Sequence, residues 1–149
     1  MSDIEFYLLP EACQPLANKF YRACRSPVRT SNVGQIWVAR QDEIIGALCL
    51  TAVAEGTWLT GLLVAPEVRS QGVAKKLIGQ ALANSSGPVW LFCHPDLMPF
   101  YQRSGFLPAQ ALPRVLGERL MRYSRSKALE AMVYQSSEQP ALAISAVAQ

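Results

Sequence analysis

The chain has 149 residues, half of them hydrophobic and 17% charged, with a net charge of +3. That length fits one domain around a single core, and the composition excludes a disordered chain. The modest charge, with no long basic run, gives no ground for a nucleic-acid binder, a local basic patch aside. No apolar stretch reaches the ~20 residues that span a bilayer. The four cysteines, Cys13, Cys24, Cys49 and Cys93, lack C-x-x-C spacing. The start Met-Ser-Asp-Ile-Glu has neither the basic region nor the apolar run of a signal peptide. The thiols therefore read as reduced and the protein as cytoplasmic.

In chain order, Ile4 to Leu9 is short, apolar and closed by Pro10, and reads as a strand. Cys13, Leu16, Ala17, Phe20, Tyr21 and Cys24 recur at helical spacing, with Pro10 suited to the helix start. Residues 25–34 hold Pro27, Asn32 and Gly34 and read as a loop, of the kind that forms a substrate wall. Ile36–Ala39 and Ile44–Thr51 are strands around a polar turn, an antiparallel hairpin. After a turn at Glu55-Gly56-Thr57 comes a third strand, Trp58 to Val64.

That strand runs into Ala65-Pro66-Glu67-Val68-Arg69-Ser70-Gln71-Gly72 and then a helix. Val73, Leu77 and Ala81, with Ala74, Ile78 and Leu82 beside them, give the helix an apolar face. Its first amides have no internal partner, and the helix dipole is positive there. Gly72 permits close approach to the backbone, and Arg69, Lys75 and Lys76 add charge. Such a junction is a phosphate site. Neither a Walker A loop nor a G-x-G-x-x-G fingerprint is present.

Asn84 to Pro88 ends the helix. Val89–Cys93 is a continuous apolar run, which suits a strand covered on both faces with a parallel neighbour. His94-Pro95-Asp96 leads to a short helix, Leu97–Ser104, stopped by Gly105, and Phe106-Leu107 begins a strand. Arg114–Glu118 reads as a turn around Gly117, Arg119–Tyr123 as a final strand and Lys127–Tyr134 as weakly helical. Residues 135–149 are expected to be loosely held or to dock on another subunit, which leaves a homodimer open. No His, Cys, Asp or Glu cluster has metal-ligand spacing, so no metal is expected.

Two motifs in order carry a resemblance. Arg69-Ser70-Gln71-Gly72-Val73-Ala74, behind Leu62-Leu63-Val64, resembles the Q/R-x-x-G-x-G/A acetyl-CoA motif of the GNAT N-acetyltransferase superfamily. Pro99-Phe100-Tyr101-Gln102-Arg103-Ser104-Gly105-Phe106 resembles that family's second motif. The resemblance covers Ile4 to Tyr123, and a GNAT domain over residues 1–126 is expected, with a C-terminal extension over 127–149. It implies an α/β GNAT-type acyl-CoA N-acyltransferase fold, a mixed central sheet flanked by helices, and acetyl-CoA as cosubstrate. It implies that the amides of Gln71, Gly72, Val73, Ala74 and Lys75 hold the pyrophosphate. Arg69 then shapes the loop, and the backbones of Leu62 and Val64 pair with the pantetheine arm. Lys75 and Lys76 are otherwise a solvated helix face.

The implied reaction is direct transfer of an acetyl group to a primary amine. The oxyanion formed on attack needs a positioned donor, and a backbone N–H near Val64 fits the family pattern. Tyr101 matches the family's general acid; its bland alternative is a packed aromatic. The leaving thiol has a pKa near ~8.5, so protonation helps only modestly. The glutamate that many relatives carry is absent from Trp58–Leu63. His94, the only histidine, stands where many relatives have Asn. It is read as a hydrogen-bond partner of the cofactor arm, a relay for the amine's proton, or a cap of the short helix with Asp96. Cys93 is read as a buried small hydrophobe, not a nucleophile. The acceptor is a small metabolite amine or a peptide or protein amine. A different reading is an acetyl-CoA-binding regulatory module acting on a partner protein with little catalysis.

Overall fold

The computed structural model describes residues 3–31 and 33–135. The chain crosses three times between two compact units, the described parts of residues 1–51 with 59–84 and of residues 52–58 with 85–149. The strand order is β1 (Glu5–Leu8), β2 (Gln35–Gln41), β3 (Glu43–Val53), β4 (Gly56–Val64), β5 (Val89–Cys93), β7 (Glu130–Tyr134) and β6 (Leu107–Pro108) in one mixed seven-stranded sheet. Helices flank it: α1 (Gln14–Ala23), α2 (Val73–Ala83), α3 (Met98–Gln102) and α4 (Arg114–Tyr123). This is the α/β architecture expected from the sequence.

In the first unit, β1 and β3 flank β2 in antiparallel register, with Phe6 opposite Ala39 and Trp37 opposite Leu48. The β2–β3 hairpin is tighter than its polar run suggests. Gln41 pairs with Glu43, and Asp42 closes the turn at φ 66°, a left-handed value that Asp tolerates. Pro10 starts a 3₁₀ turn, Glu11–Cys13, rather than the helix; α1 has Pro15 in its own first turn. Alternation along the strands sorts the core to two faces. Ala17, Phe20 and Tyr21 of α1 pack with Ile36, Val38, Ala47 and Cys49 on one. Ala39, Val64 and Val73 cluster on the other. The inward face of α2 is the expected one, and Leu77 and Ile78 are fully buried there. Each contributes about 1.5–3 kcal/mol relative to exposure.

The loop after α1 is pinned rather than free. Gln14 Nε2 donates to the Thr30 carbonyl at 2.9 Å and to Thr30 Oγ1 at 2.7 Å. Thr30 Oγ1 donates on to Asn18 Oδ1 at 2.6 Å. Thr30 is the buried polar residue of the core, and α1 supplies its partners.

In the second unit, β5 pairs parallel with the start of β4 through two residue pairs, Thr57–Val89 and Trp58–Trp90. It pairs antiparallel with β7 along its whole length. Val89, Leu91 and Cys93 on one face and Trp90 on the other are all buried, and burial on both faces explains its unbroken apolar run. Gly56 lies against this pairing; a Cβ there would stand 2.3 Å from the Pro88 carbonyl oxygen.

The C-terminal third differs from the sequence reading. Arg114–Tyr123 is one helix, not a turn followed by a strand. Leu116, Leu120 and Tyr123 recur at helical spacing, and the interior Gly117 is tolerated because its Cβ position meets nothing within 4 Å. Residues 130–134 form a strand, not a helix. Ala131 and Met132 are both buried, and so short an apolar run takes its state from its neighbours, here β5 and β6. These strand residues fall inside the expected C-terminal extension. Of the segment expected to be loosely held or to dock on a subunit, 135–149, residues 136–149 lie outside the described residues.

Candidate active site

The predicted cofactor residues lie together in the first unit. Val64 ends β4, and Pro66–Val68 form a 3₁₀ turn. Arg69 Nε donates to the Val64 carbonyl at 3.0 Å. This bond ties the far side of the turn to the strand end. Ser70 at φ 72° and Gly72 at φ 79° then reverse the chain. Gly72 is the N-cap residue of α2, without a side-chain cap, and no acidic residue occupies the first turn. The Lys76 amide makes the first helical bond, to the Gly72 carbonyl at 3.1 Å. Gln71, Gly72, Lys75 and Lys76 are exposed, while Val73 is buried and anchors the helix start. A Cβ at Gly72 would meet nothing within 4 Å, so the backbone there faces open space. Orphan amides, a positive dipole and two lysines make this junction able to hold a phosphate group.

Leu62 and Val64 follow a feature that sequence reasoning passed over. Gly61, inside β4, has φ +68°, a left-handed value in a strand. Its carbonyl accepts a hydrogen bond from Tyr21 Oη at 2.7 Å, and Tyr21 is 1% exposed. Glycine in a strand interior is the signal that marks such a departure from extended backbone. Burial, with Cys49 beside it, pushes the Tyr21 hydroxyl far up in pKa, so it stays a donor. Val28 of the pinned loop abuts the same glycine: a Cβ at Gly61 would stand 3.1 Å from both Tyr21 Oη and Val28 Cγ1. Tyr21→Phe is expected to leave the part-buried Gly61 carbonyl without this bond. The cost is about 1–3 kcal/mol, read by urea denaturation.

The predicted catalytic residues lie in the second unit. Tyr101 of α3 is 8% exposed, its ring edge-on to Phe100 and Phe106 at 5.0 and 5.9 Å. Phe106 in turn meets Tyr134 at 5.7 Å, and Tyr134 packs over Gly105, where a Cβ would stand 3.0 Å from its ring. Burial first, and the nearby Cys93 second, push the Tyr101 hydroxyl up to about 12. It therefore keeps its proton across the physiological range. Cys93 is buried, and burial, then Glu130, push its thiol up as well. A neutral buried thiol is no nucleophile.

His94 caps the 3₁₀ turn Pro95–Leu97. Its Nδ1 accepts from the Asp96 amide at 3.0 Å. The Asp96 carboxylate is 3.5 Å away, but with side chains 55% and 89% exposed that pair is screened and contributes little. With Nδ1 accepting, the neutral ring carries its proton on Nε2, which makes that atom a donor.

A cavity of about 830 Å³ in the first unit contains none of the predicted residues. Its wall balances Lys19, Arg25 and Arg40 against Asp42, Glu43 and Glu67, so it has no charge preference. Among the described residues, no group of three or more His, Cys, Asp or Glu can hold a metal ion, and no helix is long and apolar enough to cross a membrane.

Residues 32–108 match the family model of the Acetyltransferase (GNAT) domain, just over half of the chain. The chain belongs to the GNAT acetyltransferase family. Solved structures agree in fold. A GNAT family N-acetyltransferase (YhbS) from Escherichia coli in complex with CoA superposes with a TM-score of 0.66 at 15% identity, covering 93% of this chain and 84% of that one. N-acetylglutamate synthase from Neisseria gonorrhoeae, complexed with coenzyme A and N-acetyl-glutamate, gives 0.66 at 14% identity and 91% coverage. This chain spans only 36% of that synthase's length. Escherichia coli ElaA gives 0.59 at 15% identity, with 91% of this chain and 100% of that one covered. No curated protein matches the sequence. The GNAT match takes in both the Arg69–Lys75 junction and the His94–Phe106 segment. It stops before α4 and β7, the two elements whose sequence reading was wrong.

Proposed function

We propose that this GNAT protein transfers the acetyl group of acetyl-CoA to a primary amine by direct attack, in the cytoplasm. Acetyl-CoA supplies the acetyl group as an activated thioester: the amine lone pair forms the C–N bond as the C–S bond breaks. The observation that carries the reading is the Arg69–Gly72 turn feeding α2, open at the Gly72 Cβ position in a GNAT chain. The amides of Gln71, Gly72, Val73, Ala74 and Lys75 hold the pyrophosphate there. Arg69 takes one acceptor site of the Val64 carbonyl, and the Val64 N–H serves as partner to the pantetheine arm or donor to developing negative charge.

Tyr101 gives its proton to the departing thiolate and recovers one from solvent. Its raised pKa supports that role, since the proton is present at every working pH. The engaged Nδ1 of His94 supports a donor role for Nε2 toward the cosubstrate arm over a role as base. The amine's own proton then leaves to water. The test is free-thiol release from acetyl-CoA across a broad panel of primary amines. Acceptor-dependent release is expected for at least one class. Tight acetyl-CoA binding with slow hydrolysis that no amine stimulates would favour a regulatory binding module instead.

A further inference from the structure

Residues 114–127 hold five of the chain's 14 Lys and Arg and one of its 11 Asp and Glu. The rest of the sequence has nine cations against ten anions, so this segment carries all of the net positive charge. The one acid, Glu118, is engaged: Arg114 Nε donates to it at 3.2 Å. Arg119, Arg122, Arg125 and Lys127 have no carboxylate partner among the described residues. Arg119, Arg122 and Arg125 follow at intervals of three, and the bonds from Arg125 to Arg122 and from Ser126 to Tyr123 carry the helical path past the end of α4. They therefore lie along one side.

Arg119 is held in place. Its guanidinium stacks over the Trp58 ring at 4.6 Å. Phe92 meets that ring edge-on at 5.7 Å, and Tyr123 meets Phe92 at 6.4 Å. A stacked guanidinium keeps its in-plane N–H groups free, so the fork is aimed before any ligand arrives. The Arg119 guanidinium offers donors and no acceptor. Phe92 is two residues before His94 on β5, which places the basic helix over the strand that leads to the candidate catalytic residues.

We propose that the Arg119–Arg122–Arg125 stripe recognises the carboxylate of an acidic amine acceptor, either a free acidic amino acid or a peptide with acidic residues beside its amino terminus. This rests on the transferase reading and names its substrate class. Guanidinium forks match carboxylates in geometry as well as charge, and three on one helix side favour an acceptor with more than one carboxylate. Amines of net positive charge are repelled by the same side.

The test compares aspartate, glutamate and acidic-terminus tetrapeptides with their amide counterparts, on the full chain and on Arg122→Gln/Arg125→Gln, two exposed positions. Calorimetric binding is read alongside acetyl transfer. Expected is at least tenfold preference for the acid over its amide, lost in the double variant through acceptor KM, with the acetyl-CoA KM and the amide reaction unchanged. Whichever of free amino acids and peptides shows that loss is the source of the carboxylate. Equal use of acids and amides, or a double variant equal to wild type, overturns the proposal. So does tight binding of a single-stranded oligonucleotide that the double variant abolishes while carboxylate binding is absent. Acid binding lost in the variant but without acetyl transfer would overturn the transferase reading, and the acceptor role with it, and leave a carboxylate-binding site; transfer that ignores the carboxylate would overturn this proposal alone.

Discussion

Gly72→Val is expected to raise the KM for acetyl-CoA roughly 100-fold while leaving the protein folded. Two effects combine. A left-handed φ costs an L-residue about 1–2 kcal/mol, and a β-branched one more, so the turn shifts and the amides lose their aim. A side chain also projects into the open space above Gly72, where a phosphate would lie. Each charge-assisted hydrogen bond lost is worth about 1.5–3 kcal/mol, and 1.4 kcal/mol is tenfold in affinity. The fold tolerates the change because nothing stands within 4 Å of the new Cβ. Gly117→Ala is the control. It lies in a helix at ordinary φ with the same empty surroundings, so it is expected to stabilise by about 0.5–1 kcal/mol and leave the KM unchanged. A Gly72→Val enzyme with wild-type KM would remove the phosphate from this junction.

Tyr101→Phe is expected to lower kcat by roughly 10–100-fold, at the low end of general-acid effects because the thiol is a fair leaving group. The KM for acetyl-CoA should hold, since the ring contacts with Phe100 and Phe106 survive. The pH dependence gives a second readout. The Tyr101 hydroxyl sits at about 12, above the ordinary tyrosine value of 10.0. It is a donor throughout a neutral-to-mildly-alkaline profile, so wild type and variant should have the same profile shape there and differ only in height. Stability follows the same sign. The folded state holds this proton more tightly, so its contribution is full below the unfolded pKa and is lost as pH rises through about 12. The variant lacks that alkaline loss. An unchanged kcat at saturating acetyl-CoA would reduce Tyr101 to packing.

Most of the fold was legible because its signals are local. The Val89–Cys93 run, the α2 stripe and the turn at Gly72 each state their own structure. The cofactor half of the candidate site shared that advantage, since one contiguous stretch builds it. What stayed hidden was set by distant partners. Gly61 marks an irregular point in its strand, but nothing in its vicinity names Tyr21, forty residues earlier, as the donor that holds its carbonyl. Thr30 reads as loop until Gln14 and Asn18 claim it. Met121 and Tyr123 gave a strand-like end to a segment whose helix is fixed by the Leu116 burial and the Arg119–Trp58 stack. The base that frees the amine has no residue assigned, because His94 spends its Nδ1 on the turn it caps.

CoA binding at the junction that opens α2 is open to direct measurement. Titrating CoA into uniformly ¹⁵N-labelled protein and following the backbone amides tests it without any acceptor or turnover. The amides of Gln71, Gly72, Val73, Ala74 and Lys75 should shift first and most, with the Val64 amide moving alongside them. Saturable CoA binding that leaves those amides in place, and shifts instead the cavity lined by Phe20, Arg40 and Val68, would contradict it.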